Sequence, residues 1–163
     1  MKHKYDDVLV AMRRIIRATD LYSQKLRKTV GLTTPQLLVL RSVGPRHDVS
    51  LGEIANDLSL SQATVTTLVD RLEAHSLVAR KRSAEDKRRV HVRLTARGRD
   101  VLERAPDLLQ DRFVARLDAL PDWERSMITA ALQRTAALMD AGDLDASPVL
   151  LTGELAPDRR ATD

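Results

Sequence analysis

The stretch from Arg80 to Gly98, RKRSAEDKRRVHVRLTARG, constrains this 163-residue chain more than any other. Seven Lys or Arg side chains and two acids crowd into Arg80 to Arg93, and the run then turns into alternating apolar residues. Side chains alternate faces along a strand, so Val90, Val92 and Leu94 fall on a core side while His91 and Arg93 face water. The pattern predicts a two-stranded hairpin with a basic tip, a wing suited to lie against a phosphate backbone.

Two short helices with well-marked starts come directly before it. Ser50-Leu51-Gly52-Glu53 has the spacing of a capping box, with Val49 placed to staple against Ile54. After a turn at Asp57 to Leu60, Ser61 caps the next helix and Leu60 can staple against Val65. That helix buries Val65, Leu68, Val69 and Leu72, and it offers Gln62, Thr66, Thr67, Asp70 and Arg71 on the other side. Two helices this short, three or four residues apart, make a helix-turn-helix unit.

The remaining chain reads as amphipathic helix. A first helix is predicted from about Asp6 to Thr29, ended by Gly31, with Val8, Met12, Ile15, Thr19, Tyr22, Leu26 and Val30 on one face. A second starts with Thr34 as its cap and Pro35 at the first helical position, turns Leu37, Leu38 and Leu40 inward, and stops near Val43-Gly44-Pro45. After the hairpin, Thr95 caps a long helix reaching about Leu120, kinked at Pro106, with Leu102, Leu109, Phe113, Leu117 and Leu120 along one face. Pro121 opens the last helix, and Gly142 ends the ordered part, leaving a loose tail.

The predicted fold is mainly α with a small β-hairpin wing. A winged helix-turn-helix domain spans 33–99, a helical dimerisation domain combines 6–32 with 100–141, and 142–163 form the tail. The outer helices are more apolar than so small a module needs, and they flank it in sequence. Intertwining with a second copy would cover them, and a two-fold dimer presents two recognition helices to successive major grooves.

Charge divides the same way. Residues 1–99 hold 20 Lys or Arg against 10 acids, whereas 100–163 hold 7 against 13. A basic front and an acidic back suit a protein of which one part meets a polyanion. Tyr5, Tyr22, Phe113 and Trp123 are the only aromatics, too few for the stacking platforms that hold single-stranded nucleic acid, so duplex DNA is favoured. Cysteine is absent, which excludes disulfides, thiol redox sensing and cysteine-ligated zinc. No run approaches the ~18 apolar residues of a membrane span, and MKHKYDD is no signal sequence, so a cytoplasmic location is expected.

A recognition helix enters the major groove by its N-terminal half. Ser61, Gln62, Thr64, Thr66 and Thr67 suit that task, since Gln pairs with adenine and Thr offers a hydroxyl together with a methyl for thymine. Asp70 and Arg71 lie further along the same side. In the wing, Arg82, Ser83, Asp86, Lys87, Arg88 and Arg89 are the candidate contacts. Arginine fits the narrow minor groove, and Asp86 can fix the direction of Arg88.

The run from Leu51 to Gly98 resembles the winged helix-turn-helix of the MarR family of bacterial regulators. The pieces that carry the likeness are LGEIANDLSLSQATVTTLVDRLEAHSLVAR, DKR at Asp86 to Arg88, and VRLTARG at Val92 to Gly98. The resemblance implies an obligate dimer through terminal helices, a pseudo-palindromic operator near a promoter, and release by a small-molecule effector. Asp86 and Arg88 match the family's wing pair, and Ser61 to Arg71 its recognition helix. One departure is Ser76, where the family has Gly at the left-handed end of that helix. RRIIRATDLYSQKL with GLTTPQLLVL further resembles members controlling ectoine and other compatible-solute genes.

Other classes fit less well. His3, His47, His75 and His91 lack metal-ligand spacing, no glycine-rich phosphate loop appears, and the serines sit in caps and turns, so neither an enzyme nor a metal or cofactor site is expected. An adaptor on a borrowed winged fold, or an architectural DNA binder without ligand control, is the alternative.

Overall fold

The computed structural model describes residues 5–46, 48–82 and 90–142. The described chain runs α1 (Asp6–Val30), α2 (Thr34–Val43), β1 (Val49–Ser50), α3 (Leu51–Leu58), α4 (Gln62–Ala74), β2 (Val78–Arg82), β3 (Val90–Leu94), α5 (Ala96–Arg104), α6 (Leu109–Asp118) and α7 (Asp122–Leu138). It is mainly helical with one small sheet, as the sequence pattern predicts. No described helix is long and apolar enough to cross a membrane.

Helix boundaries follow local chemistry. α1 opens on Asp6 and Asp7 and closes on Arg27 and Lys28, the charge order that the helix dipole favours. The cap of α2 is Thr33, one residue earlier than the sequence suggests. Gln36 Oε1 accepts from the Thr33 backbone N–H at 2.9 Å and from its hydroxyl at 3.1 Å, which places Pro35 second in the helix. Proline is still harmless there, because first-turn N–H groups have no helical partner.

The three strands form an antiparallel sheet in the order β1-β3-β2. β2 and β3 pair over five residues each, from Val78 opposite Leu94 to Arg82 opposite Val90. The expected hairpin therefore gains a third strand. Val49 pairs with Val92 and Ser50 with His91, a two-residue strand too short to leave an alternating signal. Val92 and Leu94 are buried as expected, while Val90 is only half-buried.

Beneath the sheet, α2, α3 and α4 converge on one core. Val39, Leu40 and Val43 from α2 meet Ile54 of α3, Val65, Val69 and Leu72 of α4, and Val49 and Val92 of the sheet. Each of these side chains is fully buried, and burial of one such group contributes about 1.5–3 kcal/mol. α4 buries Val65, Leu68, Val69 and Leu72, the four that its periodicity predicts.

The junction after α4 is the tightest part of the fold. Ser76 takes a left-handed φ of 59°, and the amides of Ser76 and Leu77 reach back to the Glu73 and Leu72 carbonyls at 2.8 and 3.0 Å. The Leu77 carbonyl then accepts the Thr95 amide and the Thr95 hydroxyl, both at 3.1 Å, and that hydroxyl also reaches Ser76 O at 2.7 Å. Thr95 Oγ1 in turn caps α5 by accepting the Gly98 amide at 2.9 Å. Gly98 lies so close that a Cβ would stand 2.0 Å from Leu77 O.

The long helix expected from Thr95 to about Leu120 is two helices. α5 ends at Arg104, and α6 begins only at Leu109. Pro106 drives its predecessor out of helical geometry, and Ala105 is extended at φ −67°, ψ 138°. The proline breaks the helix where a kink was expected.

The described residues divide into two compact units at Pro106/Asp107, the first holding α1 to α5 with the sheet and the second α6 and α7. In the first unit, α1 fully buries Leu26 yet leaves Val8, Leu9, Ile15, Ile16 and Leu21 exposed. In the second, neither helix has a buried residue, and Phe113, Val114, Trp123, Met127, Leu132 and Leu138 are exposed. The tail from residue 143 lies outside the described residues.

Two substitutions test the α4–wing junction in opposite directions. Ser76→Gly relieves the left-handed backbone and should stabilise the chain by about 1 kcal/mol in urea unfolding. For Gly98→Ala, helix propensity alone predicts a gain of about 1 kcal/mol. Contact with Leu77 O outweighs it, and a net loss of about 2–3 kcal/mol is expected.

Candidate nucleic-acid interface

α3, the turn at Ser59 to Ser61, and α4 form the helix-turn-helix. Ser50 Oγ accepts the Glu53 amide at 3.2 Å, and Glu53 Oε2 accepts the Ser50 amide and hydroxyl at 2.8 and 2.6 Å, the reciprocal box that the sequence predicts. Those donors hold the Glu53 carboxyl below the ordinary carboxylate range. α3 closes at Ser59, left-handed at φ 50°, with the Leu60 amide on Ala55 O at 2.9 Å. Asp57 accepts from the Arg46 guanidinium and from Ser42 Oγ, tying the end of α2 to α3, and both donors hold its carboxyl low.

The recognition helix α4 starts where its cap requires. Ser61 Oγ accepts the Thr64 amide at 3.1 Å and lies 2.7 Å from the Thr64 hydroxyl. Thr66 and Thr67 donate their hydroxyls to the Gln62 and Ala63 carbonyls at 2.8 and 3.2 Å. With the hydroxyl protons used internally, each side chain is left with oxygen lone pairs and a methyl for a partner. Gln62 and Arg71 are exposed, and neither side chain has a partner among the described residues. Ser61, Gln62, Thr67 and Arg71 are exposed, Thr64 and Thr66 are half-buried, and none belongs to the buried four of α4.

Asp70 has a partner. Arg80, in β2, places Nη2 2.5 Å from Asp70 Oδ1 and Nη1 3.0 Å from Glu73 Oε2. The same Nη2 lies 3.5 Å from the Thr66 carbonyl, and the Arg80 amide donates to Glu73 Oε1 at 3.2 Å. Sequence reading passed over Arg80 as one cation in a basic run. The signal was the pair of acids three apart on α4, facing the strand that follows.

Of the wing candidates, Arg82 is described as strand backbone paired with Val90. Ser83, Asp86, Lys87, Arg88 and Arg89 lie outside the described residues. The start of α3, Gln62 and His91 border a cavity of about 820 Å³. A second, of about 540 Å³, lies at the wing's root among Arg46, Arg93, Thr95 and Arg99.

Two short capped helices, the second with an open polar side, and a strand pair fastened beside it define a winged helix-turn-helix protein. Comparison with known proteins narrows this further. Residues 32–90 match the model of the MarR family. MgrA, an HTH-type transcriptional regulator of Staphylococcus aureus, is 38% identical over 74 residues, covering 45% of this chain and 50% of its own. TtmR of Methylorubrum extorquens, also named an HTH-type transcriptional regulator, is 34% identical over 109 residues, covering 67% and 50%. The chain thus spans about half the length of the curated relatives it matches. Among solved structures, an S. aureus MepR–DNA complex shares the fold with a TM-score of 0.58 at 21% identity, over 85% of this chain and 99% of that one.

The carboxyls give a pH prediction. Both Glu53 and Asp57 titrate lower when folded than unfolded, so each favours folding above its unfolded value and loses that contribution as pH falls through its folded one. Ser50→Ala removes the leading donor to Glu53. Its carboxyl midpoint, followed by NMR, should move up toward the ordinary range, and the variant's deficit relative to wild type should shrink in acid.

Proposed function

We propose that this chain is a dimeric regulator of transcription that binds duplex DNA sequence-specifically, inserting α4 in the major groove and the wing in the adjacent minor groove. The observation that carries this is the open side of α4. Gln62 and Arg71 without side-chain partners among the described residues, Thr66 and Thr67 with hydroxyl protons already committed, and Ser61 at a helix N-terminus match what base edges and phosphates require. The wing sequence adds cations, and Asp86 with Arg88 matches the family's wing pair. The complex of MepR with DNA supports the same reading by analogy of fold.

The helices outside 33–99 supply the dimer in this reading, residues 6–32 and 100–141 forming its helical domain. Exposed Ile15 and Ile16 on α1, and Trp123, Met127 and Leu138 on α7, are apolar surface of a kind that monomers rarely display. A second copy would cover it and set two recognition helices about one helical turn apart on a pseudo-palindromic operator. The protein acts as a repressor of a nearby operon, released by a small-molecule effector as the family resemblance implies, with compatible-solute genes the first targets to examine.

Titration of a duplex containing the chain's own upstream region, at low and moderate salt, tests this. Binding should be dimeric and weaken steeply with salt. Arg88→Ala should reduce the slope of log K against log salt by about one, and Gln62→Ala should change base preference more than overall affinity. A monomer that ignores duplex DNA in dilute buffer contradicts the reading, and an unchanged slope in Arg88→Ala removes the wing contact.

A further inference from the structure

The acids of α4 are out of place on a DNA-reading helix. Asp70 and Glu73 lie in a chain half that is otherwise strongly basic, and a carboxylate near phosphates weakens binding. Both are turned onto one guanidinium. Arg80 reaches Asp70 at 2.5 Å and Glu73 at 3.0 Å, lies 3.5 Å from the Thr66 carbonyl, and donates its backbone N–H to Glu73 at 3.2 Å. Thr66, half-buried, is one of the residues that the proposed function assigns to reading.

Stability alone gives little reason for such a cluster. Asp70 is 56% exposed, Glu73 39% and Arg80 26%, and ion pairs this open to water add little to folding. Geometry gives a better reason. Arg80 stands two residues before the end of β2, in the stem that carries the wing tip, while its partners are spaced three apart along the recognition helix. A planar guanidinium between two carboxylates fixes direction as well as distance, which a lysine ammonium does not.

We infer that Arg80, Asp70 and Glu73 form a clamp that sets the angle between recognition helix and wing, and that Asp70 and Glu73 are positioning residues for DNA reading, not contacts to bases. The clamp aligns α4 with the β2 stem of the wing, so that helix and wing can meet the DNA together. It rests on the DNA-binding reading above, and it gives the acids a role that the contact reading does not.

Charge gives the test its sign. Asp70→Asn and Glu73→Gln each remove a negative charge beside the DNA, so if these acids merely sat on the surface, affinity would rise. The clamp predicts the reverse: the double variant binds the duplex about tenfold more weakly, as for loss of one good contact, with its urea midpoint close to wild type. Arg80→Lys keeps the charge and should show the same loss, which also decides the matter should the double variant fold poorly. Binding that is unchanged or tighter in folded variants overturns the clamp and leaves the DNA reading intact. A wild-type chain that does not bind duplex DNA removes both.

Discussion

The Leu77 carbonyl is where the winged module is fastened together. It accepts the Thr95 amide and hydroxyl and lies against the bare Cα of Gly98. Four elements meet within these few residues: the end of α4, the start of β2, the end of β3 and the first turn of α5. Hydrogen bonds between neutral groups contribute only about 1 kcal/mol each. The junction matters because it leaves no room for adjustment. A side chain at residue 98 would collide with backbone, which cannot move aside as a flexible side chain could.

From that junction outward, the placement of chemistry follows. α4 runs back from Ser76 to its cap at Ser61, the core holds one side of it, and the other is left to polar groups. β2 leaves the same junction and β3 returns to it, antiparallel to each other. Arg80 braces α4 and β2 a second time, across Asp70 and Glu73. Backbone packing supplies the stiffness and the charged cluster supplies direction, so stability and aim come from different physics.

Much of this was legible in the sequence, for reasons that particular residues make plain. Ser50 with Glu53, and Ser61 before Val65, are local signals, since a cap needs only the next three residues to act. The burial of Val65, Leu68, Val69 and Leu72 follows from helical period alone. β1 was not legible, because two residues cannot show alternation and their partners, Val92 for Val49 and His91 for Ser50, lie far away in sequence. Pro106 was read as a kink, yet it ends α5 because its ring acts on Ala105 as well as on its own amide. Arg80 was hidden among six other cations, and only the fold shows which of them has two carboxylates waiting. The second unit, from Asp107 onward, was legible as amphipathic helix and no further. Its exposed Trp123 and Met127 carry no local signal of what covers them.

The central physical claim is that recognition helix and wing stem move as one body. Native-state hydrogen exchange of the wild-type chain tests it most directly, by comparing the amides of Leu77 and Thr95 with that of Val69 in the middle of α4. The account predicts that all three exchange only through global unfolding, with the same opening free energy and the same dependence on denaturant. Leu77 and Thr95 amides that exchange through a separate, much easier opening while Val69 stays protected would contradict it.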